Sequence, residues 1–141
     1  MVAPADNYGV EVWCFDQIVP GKFARGWRVV AQAIYRRLTT PRGKLRDGDD
    51  GAAYGLDLSE YVGQAGYPTA VNTLPGIVAA EIRKDDRVAS VDVEAAIARA
   101  ENGDVSITLD LSVTLEDGES SFDLTLDVST GGVTLLFAEA A

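Results

Sequence analysis

Three carboxylates lie within Asp47-Gly48-Asp49-Asp50-Gly51, and hard cations such as calcium and magnesium bind where several oxygens converge. An EF-type loop starting at Asp47 requires an oxygen ligand at its fifth position, glycine at its sixth and glutamate at its twelfth. The chain offers Gly51, Ala52 and Leu58 there, so the segment reads as an acidic turn and no metal site is expected. Glycoside hydrolysis needs two carboxyls in unlike surroundings, one of them buried enough to stay protonated. Glu11, Asp57, Glu60 and Glu81 are the candidates, and nothing in their spacing selects a pair. The stretch VPGKFARG, residues 19–26, lacks both the preceding glycine and the Ser or Thr after Lys22 that a phosphate loop requires. The chain has no histidine and one cysteine, Cys14. Ser-His-Asp and Cys-His nucleophiles and the usual zinc sites are thereby excluded. No catalytic residue and no cofactor is expected, and a lone cysteine suits a reducing compartment.

Charge is the stronger signal. The formal net charge is -10, from 12 basic and 22 acidic residues, and the signs are segregated. From Gln17 to Arg46 the chain carries Lys22, Arg25, Arg28, Arg36, Arg37, Arg42, Lys44 and Arg46 with no acid, a charge of +8. From Glu101 to Ala141 it carries nine acids and no base. One basic and one acidic surface suit an assembly component that meets unlike neighbours. The basic segment is not interleaved with aromatics as a stacking platform would be, and the overall charge opposes a phosphate backbone, so no nucleic-acid partner is expected.

The elements that must position these residues follow from periodicity. At 141 residues with 47% hydrophobic and 24% charged residues, the chain has the length and mix of one globular domain. Its apolar runs fall far short of the roughly 20 residues of a membrane span, and its start has no basic patch followed by an apolar stretch, so neither membrane anchor nor signal peptide is expected. GVEVWCF, residues 9–15, alternates as a short strand, with Pro20 and Gly21 marking a turn. In RGWRVVAQAIYRRL, Trp27, Ala31, Ile34 and Leu38 recur at spacings of three and four with Val30 at the rim, one apolar helix stripe in which Trp27 is a core residue. Arg25, Arg28, Gln32 and Arg36 fall on the opposite, polar side. The helix should stop near Thr39, because Pro41 disfavours helical geometry at Thr40. A Gly/Asp-rich loop over 41–55, a short helix around LDLSEYV and a longer helix through Leu74, Ile77, Val78 and Ile82 follow, with Pro75 expected in the first turn of the latter.

Beyond Lys84 the pattern is sheet. VSITLDLSVTL puts Val105, Ile107, Leu109, Leu111, Val113 and Leu115 on one face, and SFDLTLDVST does the same with Phe122, Leu124, Leu126 and Val128. Asn102-Gly103, Asp117-Gly118 and Gly131-Gly132 are hairpin signals, and a last strand, VTLLF, ends at Phe137 before a featureless tail. The expected fold class is α+β, a single domain over residues 1–141 with helices on one face of a C-terminal antiparallel β-meander. The other face, carrying Asp110, Asp123 and Asp127, is expected to be wet and acidic.

AQAIYRRLTTPRGKL, the Tyr54-Gly55 of AYGLDLSEYV, a helix, and DDRVASVDVEA opening a meander together resemble the baseplate wedge proteins that act as sheath initiators in contractile phage tails. That family is also called lysozyme-like and has relatives in type VI secretion baseplates. In it a helix leads into a Leu-Thr-x-Pro-Gly type of turn, and a Glu-Pro-Arg triplet precedes the first long strand. The resemblance runs from about Ala24 to Val128, with two departures. Asp85-Asp86-Arg87 stands in place of Glu-Pro-Arg, keeping the charges and losing the fixed backbone angle of proline, and Arg42 stands between Pro41 and Gly43.

The resemblance implies a non-enzymatic subunit of the virion tail baseplate, assembled in the host cytoplasm and present in several copies around the tail axis. Its implied partners are other wedge and tail-tube proteins and the sheath protein, with no nucleic acid and no membrane. The implied docking residues are Arg25, Arg28 and Arg36, the turn Thr40-Pro41-Arg42-Gly43, and the triplet Asp85-Asp86-Arg87. Val133, Leu135 and Phe137 of the last strand would receive a strand from the sheath. A muralytic enzyme using a carboxylate pair, and a soluble adaptor that binds a regulatory protein, are the alternatives.

Overall fold

Alternation in the last third of the chain produces the element on which everything else rests. The computed structural model describes residues 8–13, 18, 20–40, 55–56, 58, 68–99, 101, 105–118, 120–129 and 132–140. Over these the order is β1 (Val10–Val12), β2 (Phe23–Arg25), α1 (Trp27–Thr39), α2 (Pro68–Ile82), β3 (Val88–Arg99), β4 (Val105–Leu115), β5 (Ser121–Ser129) and β6 (Gly132–Ala140). Strands β3 to β6 form one antiparallel sheet in sequence order, and β1 pairs with β2 in a separate ribbon. The α+β class read from the sequence is the class of the fold.

Side chains alternate across a strand, so β4 and β5 each give one face to the core. Ile107, Leu109, Leu111, Val113 and Leu115 are buried, as are Phe122, Leu124, Leu126 and Val128. Both helices lie on that face, α2 chiefly over β3 and α1 over β5 and β6. Trp27, at the start of α1, stacks on Phe122 with ring centroids 5.3 Å apart. Tyr35 Oη donates to the Val133 carbonyl at 3.2 Å, tying α1 to β6. Val30, Ala31, Ile34 and Leu38 of α1 meet Leu74, Val78 and Ile82 of α2 in the same core. Leu56 and Leu58 close it, and Leu56 N–H donates to the Thr40 carbonyl at 2.9 Å.

Three expectations need correction. Pro75 lies inside α2, whose first residue is Pro68. A proline in mid-helix has no N–H for the carbonyl four residues earlier, and apolar packing of Leu74, Val78 and Ile82 carries the helix through it. Gln32 is fully buried, because the ribbon covers that part of the polar side of α1. The last strand runs to Ala140, with Phe122 opposite Ala140 and Asp123 opposite Glu139. The tail is thus a paired strand, since β5 is long enough to template it. The segment from Val88, expected as sheet, is the longest strand among the described residues, at 12 residues.

Turn chemistry follows the residues where it is described. Gly118 has φ +73, Asp117 Oδ1 accepts from the Ser120 N–H at 2.7 Å, and Oδ2 accepts from Ser120 Oγ at 2.7 Å. Helix α1 ends at Thr39, with Thr40 extended at φ -93 and ψ 119, the geometry a following proline imposes. The expected short helix around LDLSEYV, the Asn102-Gly103 turn, and the 41–55 loop up to Tyr54 lie outside the described residues, Leu56, Leu58 and Gly55 excepted.

Candidate functional site

The basic side begins on the ribbon. Its register, with Val10 opposite Arg25 and Val12 opposite Phe23, places those four side chains on one face and Glu11 with Ala24 on the other. Ala24 is buried against α1, whereas Val10, Val12 and Phe23 are exposed. Glu11 reaches the helix. Gln32 Nε2 donates to Glu11 Oε2 at 3.1 Å and to the Val12 carbonyl at 3.0 Å, and Arg36 Nη2 donates to both Glu11 oxygens at 3.3 Å. Arg28 lies 4.5 Å from the centroid of its neighbour Trp27, and Lys22 lies 3.9 Å from that of Trp13. Such cation–aromatic contacts hold a charge at the surface while covering apolar rings. Arg25 and Arg28 are exposed, and Arg36 is engaged by Glu11.

The acid and the arginine of the 85–87 triplet meet each other. Arg87 Nε donates to Asp85 Oδ1 at 2.9 Å and Nη2 to Oδ2 at 2.7 Å, and the Arg87 N–H donates to Oδ1 at 3.0 Å. Burial alone would raise the Asp85 carboxyl, but the Arg87 fork, the Arg87 N–H and the charge of Arg37 hold it below its ordinary range. Arg87 is pushed above its already high value by Asp85 against the effect of burial, with Glu11 contributing.

Arg37, one residue beyond the expected docking arginine, serves a fully buried acid. Glu81 Oε1 accepts from Arg37 Nη1 at 3.4 Å and from the Gly55 N–H at 2.8 Å, and Oε2 meets Lys84 Nζ at 2.8 Å. Burial pushes the Glu81 carboxyl up, and Lys84, Gly55 and Arg37 together outweigh it, leaving it low. Arg36, Glu11, Arg87, Asp85, Arg37, Glu81 and Lys84 thus form a run of alternating charge that joins β1, α1, α2 and the turn into β3. Four of its links are direct ion pairs. The other two, Glu11 with Arg87 and Arg37 with Asp85, act over longer range.

The acidic side is the outer face of the sheet. The registers align Asp92, Ser112, Asp123 and Glu139 in one row across all four strands, and Glu94, Asp110 and Thr125 in the next. Ser112 Oγ donates to Asp123 Oδ1 and Thr125 Oγ1 to Asp110 Oδ1, each at 2.9 Å. With Asp127 the face holds six carboxylates and no base among the described residues. Among the described residues strand β6 is an edge of this sheet. Val133 and Leu135 turn half-buried toward the core, Phe137 pairs with Thr125 through its backbone, and a bulge leaves Leu136 outside the ladder. Leu136 is 58% exposed.

The structure therefore brings Arg36, Asp85 and Arg87 into internal ion pairs, leaves Arg25 and Arg28 at the surface, and puts Val133 and Leu135 at a sheet edge. Asp86 lies in the turn between α2 and β3. Thr40 Oγ1 donates to the Arg36 carbonyl at 2.7 Å, while Pro41, Arg42, Gly43 and the Asp47–Gly51 cluster lie outside the described residues. Of the four carboxylates considered for glycan chemistry, Glu81 is buried, with its carboxyl held low, and Glu11 belongs to the ribbon; Asp57 and Glu60 lie outside the described residues. Among the described residues no group of three or more His, Cys, Asp or Glu side chains is placed to hold a metal, and no helix is long and apolar enough to cross a membrane. The residues missed in the sequence are Arg37 as a partner of Glu81 and Asp92 and Glu94 of the acidic face. Both acids alternate with Val91, Val93 and Ala95 in the sequence, and the alanines that follow blur which side of β3 is apolar. Compared with protein-family models, with curated proteins and with solved structures, the chain finds no match.

Proposed function

We propose that this protein is a non-enzymatic subunit of a contractile tail baseplate, one that docks on wedge and tail-tube proteins and starts the sheath by accepting a β-strand. The observation that carries the reading is the position of β6 as an outermost strand of the four-stranded sheet. An edge strand offers unpaired N–H and C=O groups to a neighbouring chain. The bulge at Leu136 divides that edge, so an incoming strand pairs along Val133 to Leu135 or along the segment from Phe137 to Ala140. The resemblance of AQAIYRRLTTPRGKL and the segments after it to sheath initiators supplies the location. Exposed Arg25 and Arg28 opposite an acidic sheet supply two unlike surfaces for two kinds of neighbour.

A muralytic enzyme needs a carboxyl held above its ordinary pKa, and Glu81 is held below it by three donors. The soluble-adaptor alternative requires only one docking surface and leaves the β6 edge without a role.

The test uses contractile particles purified from the source of this sequence. The protein is expected at the junction of baseplate and sheath, in several copies around the axis. Complementation with Thr134→Glu/Leu136→Glu, both exposed positions of β6, is expected to give baseplates that contain the protein and tubes without sheath. Normally sheathed tails from this variant would rule out the β6 template. Absence of the protein from the particles would rule out the tail reading itself.

A further inference from the structure

The sheet has a second edge, and its regular stretch is the longer of the two. Strand β3 pairs with β4 on one side, and among the described residues no strand pairs with its other side. Natural edges are blunted by bulges, prolines or charged side chains, which reject strands of the wrong charge pattern. Strand β6 has its bulge at Leu136, and the Val133 carbonyl is already bonded by Tyr35. Strand β3 has a register irregularity only between Val88 and Ser90, and its pairing is regular from Ser90 to Arg99. That stretch has no proline and no lysine. At about 3.4 Å per residue it presents an edge of roughly 30 Å.

The two faces of this edge differ in chemistry. On the outer face Asp92 and Glu94 are exposed, and Glu94 is backed by Asp110 directly opposite on β4. On the inner face Val93, Ala95 and Ile97 continue the apolar side of the sheet, with Ile97 left 38% exposed beyond the cover of the helices. A strand laid along β3 puts alternate side chains beside each set. We infer that the β3 edge is a strand-binding site for an extended segment of another protein in which basic residues alternate with aliphatic ones. Its basic side chains lie over Asp92 and Glu94, and its aliphatic ones extend the core past Val93, Ala95 and Ile97. A second copy of this chain is a poor occupant, because it brings its own acidic face and a further charge of -10. The inference stands apart from the tail reading, since it concerns a different edge and is tested on the isolated chain.

The probe is a ten-residue peptide alternating lysine with valine. Its controls are a block isomer of five lysines followed by five valines and an alternating glutamate–valine peptide. Binding is followed by peptide fluorescence anisotropy and by amide shifts in the labelled protein. The alternating basic peptide is expected to bind at least tenfold more tightly than either control and to shift amides of Ser90 to Arg99. Asp92→Lys/Glu94→Lys is expected to weaken it at least tenfold with an unchanged thermal transition. Along an antiparallel strand successive N–H groups point alternately to the partner strand and away, so Ala96→Pro and Ile97→Pro are made as a pair. The one that keeps the wild-type transition is the edge-facing one, and it is expected to abolish binding. The inference is overturned by equal affinity for the block isomer, by shifts confined to Val133 to Ala140, by indifference to the double charge reversal, or by dimerisation through β3 without peptide.

Discussion

Arg87 folds back on Asp85, two residues earlier, and closes a forked ion pair with contacts of 2.9 and 2.7 Å. The same turn lends its backbone to the sheet, where the Glu116 N–H donates to the Arg87 carbonyl at 2.8 Å and the Val88 N–H to that of Asp85 at 3.0 Å. The pair therefore fixes where β3 starts, and any docking role for the triplet acts on a pre-formed unit.

Arg87→Ala is expected to cost about 1 kcal/mol in urea unfolding, the lower end for a charged pair because Arg87 is partly exposed to screening solvent. Arg87→Lys is expected to recover little, since an ammonium cannot make the fork. Full recovery by lysine would show that charge alone matters. Loss of baseplate incorporation in a variant that keeps its stability would assign the triplet to docking.

Glu81 is a nearly fully buried acid, and its partners come from three places in the chain. Removing the carboxylate takes away the acceptor that Arg37, Lys84 and the Gly55 N–H share. Glu81→Leu is expected to destabilise the fold by about 3 kcal/mol, read from the urea midpoint, with Glu81→Gln intermediate. A loss below about 0.5 kcal/mol would mean that the network contributes nothing net.

The Glu81 and Asp85 carboxyls are both lowered in the folded protein. A lowered carboxyl stabilises the fold above its unfolded pKa and loses that contribution as pH falls through the folded value. Stability is thus expected to hold from neutral pH to about 5 and then to drop below the ordinary carboxylate range, near 4. In Glu81→Gln the drop should be shallower. Parallel urea midpoints against pH for the two proteins would remove Glu81 from the account.

Gln32 links the ribbon to α1 by two bonds. Gln32→Leu leaves the Val12 carbonyl and Glu11 with one donor fewer, and local opening of the ribbon is expected to rise about tenfold. The readout is hydrogen exchange at the Trp13 N–H, which is bonded to the Lys22 carbonyl at 2.9 Å. Exchange in the β4 amides should stay as in the wild type, which separates ribbon opening from global unfolding.

The sequence by itself determined the sheet and the main helix stripe. In β4 and β5 a period of two leaves one arrangement that buries nine large side chains, and in α1 the spacing of Ala31, Ile34 and Leu38 does the same for a helix. Segregation of charge was also legible, because it is a property of the chain. What the tertiary structure decided is which charges meet. The distance along the chain from Arg37 to Glu81, or from Glu11 to Gln32, carries no sign of their contact, and the polar side of an amphipathic helix looks the same whether water or a ribbon covers it. Strand β3 escaped clear reading because alanine marks neither face, and its place comes from pairing with β4. Edge or centre is likewise a matter of strand order, set when the whole sheet assembles over the helices, and no local pattern in VTLLF or DVEAAIAR encodes it.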